Sequence, residues 1–386
     1  MHHGHAIERS SSRRGLRRYL TPCSLWLVGC LVAMGSHAHG AGTPSTASAP
    51  APASAQGQAA GRLSIQLNND RMTLAITKVP QVYLYGVIDA DAPQRFESMV
   101  AEGKIPRGSD IYLNASSGDL RAGMALGRLF RKDAMVTHLG TPRRSRLAAK
   151  VSKTATCAGA CSYAYFGGLY RWAPTGSDRF GLPSSHAVDV QGADDVAAYL
   201  KEMGIDLGAF TASLATARDP VLWLTTDQLI SAGLANNARL PLTVRSLLVS
   251  PAPSVTLDQV DRNGRHRLVI QCRPGQLTIT SFDMVGAAAA REILRRGTRA
   301  YIEINRQETL LQPPGGARVV NDSLTMMHTY PPTQIGHLLL ARTIGAWVDG
   351  KNKSFRNGFV FELDPVREDL KKYFSACWKA APWPTD

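Results

Sequence analysis

The segment "TATCAGACSYAYFGGLYRW", Thr154 to Trp172, gathers residues suited to covalent chemistry. Cys157 and Cys161 bracket Gly159 in a small-residue turn, and an apolar run follows. Some hydrolases place a nucleophilic serine at such a strand-to-helix junction, where a sharp turn lifts the side chain out of the fold. Here the central residue is glycine, which has no atom able to attack a carbonyl. Ser162 stands three positions later, nearly one helical turn on. Cys157 or Cys161, if reduced, would offer a thiolate. His186 and His138 are the candidate bases, with Asp119 and Asp189 able to orient an imidazole. Ser116 and Ser117 lie in a separate expected turn, "SSGD". Each residue also has a structural reading: a helix serine bonded back to the chain, turn serines, a disulfide, surface polar groups. No phosphate loop and no His-Glu-x-x-His motif occurs, and no nearby Cys/His pair completes a zinc site, so no metal or cofactor is expected.

These residues need elements to position them. "RLSIQL", "RMTLAI" and "QVYLYGVI" read as strands, with "NND" as a turn between the first two. "APQRFESMVAEG" is helical, "SDIYLNA" is a strand ending at Asn114, "LRAGMALGRLFRKD" is a helix and "AMVTHLG" a strand. This β-α-β-α-β alternation predicts an α/β domain with a mostly parallel sheet and crossover helices. "ACSYAYFGG" reads as a buried helix, "RFGL" as a strand, and "GADDVAAYLKEMGI" and "TTDQLISAGL" as helices. The pattern breaks between Pro241 and Ser254, placing an α/β domain at 62–245. Beyond it, 255–386 reads as a smaller β-rich domain that includes strand-like "HLLLARTIGAWVDG", one Ala-rich helix and a closing helix, "REDLKKYFSACWKAA".

Residues 1–41 read as an export signal, with "RRGLRRYLTP" basic and "CSLWLVGCLVAMG" apolar but short for a membrane span. Residues 42–61 form an Ala/Pro/Ser-rich linker. Cleavage after the small residues near Ala38 or Gly40 places the chain in the periplasm. "LVGC" resembles a lipobox, so a lipidated Cys30 or an uncleaved leader are the alternative membrane anchors. After cleavage Cys157, Cys161, Cys272 and Cys377 remain, an even number in an oxidising compartment. Cys157 with Cys161, and Cys272 with Cys377, is the simplest of three pairings; free thiols are the other possibility. A content of 44% hydrophobic and 19% charged residues excludes a disordered or membrane-embedded body. The net charge of +14 suits an anionic envelope component. No run interleaves basic and aromatic residues, so no specific nucleic-acid binding is expected.

Taken in order, "VYLYGVIDADAPQRFESMV", "IYLNASSGDLRAGMALGRLFR", "CAGACSYAYFGGLYRW" and "RFGLPSSH" resemble the ClpP/crotonase superfamily. More narrowly they resemble its exported bacterial branch, periplasmic proteins likened to the proteolytic subunit of Clp protease. "YLKEMGID" and "LTTDQL" also fit, and the resemblance spans about residues 82–235. It implies a ClpP/crotonase-like β-α-β spiral core. The family's Asn-Ser-Pro-Gly-Gly-Ser oxyanion segment falls on Asn114 through Asp119, retaining Gly118 and replacing the other glycine by Ser117. Its Cys-x-Ser-x-Cys nucleophile falls on Cys157 to Cys161, with Gly159 in the serine's place. The base of its Gly-x-His pattern falls on Pro183, and the nearest histidine is His186. "GGLYRW" matches Gly-Gly-x-Tyr-Arg, giving Arg171 an ion pair or an anionic ligand. Rings or trimers in the superfamily imply a homo-oligomer. The resemblance implies an exported protein with a degenerate serine-peptidase site, acting as a binding or scaffold module for a protein or peptide. The alternative is a serine-type hydrolase using Ser162 and His186. A third reading is an acyl-transforming, crotonase-type site that would take a thioester.

Overall fold

In the computed structural model the chain is described over residues 61–142, 154–183, 190–215, 219–249, 251–311, 316–331 and 338–380. The first half alternates strands and helices. The strands are β1 (Leu63–Asn68), β2 (Gln81–Ile88), β3 (Asp110–Gly118), β4 (Val136–Leu139), β5 (Thr156–Ala158), β6 (Tyr170–Arg171), β7 (Arg179–Pro183) and β8 (Val221–Leu224). The helices are α1 (Arg71–Thr77), α2 (Ala92–Ala101), α3 (Leu120–Lys132), α4 (Ala160–Phe166), α5 (Val190–Glu202), α6 (Leu207–Leu214) and α7 (Thr226–Ser231).

Strands β2 through β7 pair in parallel, as the crossover pattern requires, and β1 and β8 close the sheet antiparallel. The sheet divides at β3. Its first half, Asp110 to Leu113, pairs with β4, whereas Ala115 further along pairs with Cys157 of β5. This divergence carries β5 away from β4 and leaves the turn after β5 at the branch. The helical face of the sheet is the core, including Val82, Leu84, Ile111, Leu113, Phe130 and Phe166.

The second half is antiparallel. It comprises β9 (Thr243–Leu247), β10 (Ser254–Asp261), β11 (Gly264–Arg273), β12 (Gln276–Met284), α8 (Ala287–Arg296), β13 (Gly297–Ile304), β14 (Gln307–Leu310), β15 (Ala317–Val320), β16 (Ser323–Tyr330), β17 (Thr343–Gly350), β18 (Arg356–Glu362) and α9 (Arg367–Ala380). Among the described residues one sheet runs β15-β16-β12-β11-β10-β9 and the other β14-β13-β17-β18. Alternating residues such as Leu268, Ile270 and Cys272 face a separate core with Phe361, Tyr373 and Cys377. The break between Pro241 and Ser254 contains β9, which belongs to this second sheet. The two halves meet where the β10–β11 hairpin docks. Arg262 donates to both oxygens of Asp110 at 2.7 and 3.1 Å, and the Tyr170 hydroxyl donates to the Asp261 carbonyl at 2.8 Å.

Three local expectations change. "RMTLAI" is helix α1, because the Asp70 carboxylate accepts from the Met72 and Thr73 N–H groups at 2.9 and 3.0 Å and starts a helix there. Its Met72 and Ile76 are exposed, so the apolar alternation does not mark a buried strand face. "SSGD" does not turn at Ser116; β3 continues to Gly118, pairing Ser117 with Val87 and Gly118 with Ile88. In "HLLLARTIGAWVDG" the strand starts only at Thr343.

Candidate functional site

The turn between β5 and α4 is built by contacts from three sides. Asn114 Oδ1 accepts from the Thr156 N–H at 2.9 Å, and Asp178 Oδ1 accepts from the Ala155 N–H at 2.7 Å. Cys157 pairs with Ala115 on one side and Phe180 on the other. Gly159 then takes φ 61° and ψ −126° and opens α4. That left-handed value is cheap for glycine and strained for other residues. A Cβ added at Gly159 would meet no atom of the described residues within 4 Å. Among those residues the turn leaves the direction of the missing side chain clear, as a nucleophile at such a turn requires.

Cys157 and Cys161 are joined by a disulfide with Cα atoms 5.2 Å apart, and both are fully buried. The bridge corrects the thiolate possibility: a disulfide sulfur has no proton to lose and no free lone-pair anion to attack with. Cys272 and Cys377 form the second bridge, so the simplest pairing is the one present.

Ser162 is fully buried in α4. Its hydroxyl donates to the Gly181 carbonyl of β7 at 2.5 Å, while its N–H returns to the Gly159 carbonyl at 3.0 Å. The side chain thus joins helix to strand inside the core and does not share the open direction at Gly159. His186 and Asp189 lie outside the described residues. Pro183 ends β7, paired with Val221. It borders an apolar cavity of 260 Å³ walled by Tyr163, Val196, Leu200, Phe210 and Leu214.

Ser116 and Ser117 are exposed at the end of β3. Gly118 has φ 143°, and a Cβ there would fall 2.4 Å from the Ile88 carbonyl oxygen. This close approach explains why glycine stands at that position, but it places the segment beside β2 as strand. Asp119 caps α3, accepting from the Ala122 N–H at 2.7 Å, and so serves the helix rather than a base.

Arg171 is buried and donates to the Leu234, Gly168 and Gly233 carbonyls at 2.8, 3.3 and 3.3 Å. Among the described residues no carboxylate pairs with it. Burial pushes its guanidinium down to about 10, still protonated at neutral pH. Arg131 plays a matching part, donating to the Phe166, Gly167, Gly168 and Met203 carbonyls. The two arginines fasten the loop after α4, and arginine followed by no periodic partner leaves little trace in a sequence. Helix α3 reaches α4 through its glycines: a Cβ on Gly123 would lie 2.3 Å from the Ala160 carbonyl oxygen.

His138 sits on the other face of the sheet. Thr137 turns inward, its hydroxyl donating to the Tyr165 carbonyl at 2.9 Å, and the pleat sends its neighbour outward. His138 Nε2 lies 3.1 Å from Asp110 Oδ1, and its ring stacks between Tyr112 and Trp172. Burial alone raises the Asp110 carboxyl, but the His138 and Arg262 contacts outweigh it and hold the group below its ordinary value. This buried hub joins the two halves of the chain, and its pairing of Asp110 with a residue 152 positions away has no sequence signal.

No protein-family model matches the sequence, and no curated protein matches it. Solved structures are similar in part. A variant of ClpP1 from Listeria monocytogenes is 14% identical, covers 43% of this chain and 94% of its own, and gives a TM-score of 0.30. A membrane-bound stomatin-specific protease, 1510-N, is 16% identical over 40% of this chain and 75% of its own, with a TM-score of 0.28. A Streptomyces avermitilis protein assigned as an enoyl-CoA hydratase is 12% identical over 45% of this chain and 66% of its own, with a TM-score of 0.30.

Proposed function

We propose that this chain is an exported ClpP/crotonase-type protein whose nucleophile position is vacated, and that it works as a binding or scaffold module for a protein or peptide. One observation carries the reading. The β5–α4 turn has a backbone geometry that would present a nucleophile, yet Gly159 supplies none and no described residue fills its side-chain direction. The nearest serine on the helix is spent on the Gly181 carbonyl. A catalytic serine must instead have its hydroxyl free to face substrate and within reach of a base. The Ser162 hydroxyl is buried and bonded to Gly181 rather than free to face substrate, so the hydrolase reading draws no support from its geometry. Export is supported by two disulfides, which persist in oxidising compartments. Among the described residues no helix is long and apolar enough to cross a membrane.

The test is covalent labelling of the purified chain with a fluorophosphonate. No adduct is expected on the unaltered protein. A stoichiometric adduct on Ser162, lost in Ser162→Ala, would overturn the proposal and restore the hydrolase.

A further inference from the structure

Strand β9 is the outer strand of the six-stranded sheet, paired on one side with β10. Among the described residues no strand pairs with its other side, so that side presents a row of main-chain donors and acceptors. Natural edges are usually blunted by proline, lysine or a bulge, and β9 has none of these in "TVRSL". Its one charge, Arg245, is held on Asp258 at 2.7 Å. The strand instead runs into exposed aliphatic residues: Leu247 is 57% and Val249 96% exposed. Leu248 and Val249 form one wall of a 740 Å³ groove whose other wall is α9, with Lys371, Lys372, Ser375 and Lys379.

From this juxtaposition we propose that the β9 edge and the α9 groove form a docking site for an extended acidic-aliphatic peptide segment of another protein, which adds to the sheet as a further strand. The unpaired edge requires an extended chain, because only a strand matches its spacing of donors and acceptors. Leu248 and Val249 fit aliphatic side chains on one face of that strand. The lysines of α9 select carboxylates. Lys371 and Lys372 hold Glu368 and Asp369 at 2.7 and 3.5 Å in exposed pairs, which cost little to exchange for a ligand's carboxylates. Lys379 makes no ion pair among the described residues. The same charges disfavour a second copy, whose β9 carries Arg245 and no acid and whose chain is itself net positive. The proposal goes beyond the reading of the Gly159 turn and does not depend on it.

The probe is a fluorescein-labelled peptide alternating Glu and Val, titrated against the full chain by fluorescence anisotropy. Methylating alternate amides of the peptide removes the N–H groups while keeping its charge, and is expected to weaken binding by about tenfold or more. Lys372→Glu with Lys379→Glu is expected to weaken it by roughly threefold to tenfold, with the circular dichroism of the chain unchanged. Equal binding of the methylated peptide, equal binding of a Lys/Val peptide, or no binding at millimolar peptide would each overturn the proposal. So would self-association of the chain that Ser246→Pro abolishes, since a second copy would then hold the edge. The fluorophosphonate result at the Gly159 turn is read separately and moves with none of these outcomes.

Discussion

Cys157–Cys161 closes a separation of four residues across one turn, whereas Cys272–Cys377 joins positions 105 apart and ties α9 to β11. The buried charges around them differ in the same way. Near the first bridge, Arg131 and Arg171 donate to main-chain carbonyls, and the turn depends on a covalent bridge and on charged groups bonded to the main chain rather than to one another. In the sheet that carries the second, carboxylates and cations hold one another. Asp258 accepts from Arg245 and Arg267, and His266 lies 3.0 and 2.9 Å from Asp261 and Asp283. The His266 N–H directions miss those oxygens, so the contact is ionic more than a directed hydrogen bond. Burial alone would lower this imidazole, yet the two carboxylates prevail and push it up to about 9. The comparison separates two tasks. The first region holds a geometry that does not respond to protonation near neutrality. The second holds its sheets with charges that do.

The largest expected difference lies in the bridges. Replacing Cys272 and Cys377 together by alanine should lower unfolding free energy by about 5 kcal/mol, because the long loop regains most freedom in the unfolded chain. Urea unfolding measures this; a loss no greater than that of the short bridge would undo the contrast. His266 comes next. Its folded pKa is raised, so its contribution is fully present below about pH 6.5 and disappears as pH rises through about 9. Stability should fall by roughly 3 kcal/mol across that window, and His266→Gln should flatten this part of the profile. The urea midpoint from pH 6 to pH 10 checks it. The Cys157→Ala, Cys161→Ala double variant should lose about 2 kcal/mol, with no added pH dependence. A pH-dependent loss would show that the turn is not insulated from charge. The smallest effect belongs to Gly159→Ala, about 1 kcal/mol, from the positive φ, since the added methyl meets no described residue. A larger loss by calorimetry would mean that the open direction is filled.

The alternation of strands and helices from Gln81 to Pro183 is legible because periodicity is a local property. Helix α1 is the instructive exception. Its apolar spacing suits a strand, and the Asp70 cap decides for helix, a choice of a few tenths to a few kcal/mol that a pattern of apolar residues does not record. The continuation of β3 through Ser117 and Gly118 was equally hidden, because it depends on β2 lying alongside.

At the candidate site, residue types alone established that Gly159 cannot be a nucleophile and that Cys157 and Cys161 flank it at bridging distance in sequence. These are statements about atoms present or missing, and no fold can alter them. Whether Ser162 could replace the missing serine was a matter of direction. That was settled by β7 passing close enough for the Gly181 carbonyl to accept its hydrogen bond, a contact between residues 19 positions apart. Arg171 likewise found the carbonyls of Gly233 and Leu234, and Asp110 found Arg262, through packing of segments far apart in the chain. Such partners are chosen by the three-dimensional arrangement because a buried donor bonds whatever acceptor the fold brings within about 3 Å, wherever that acceptor stands in the sequence.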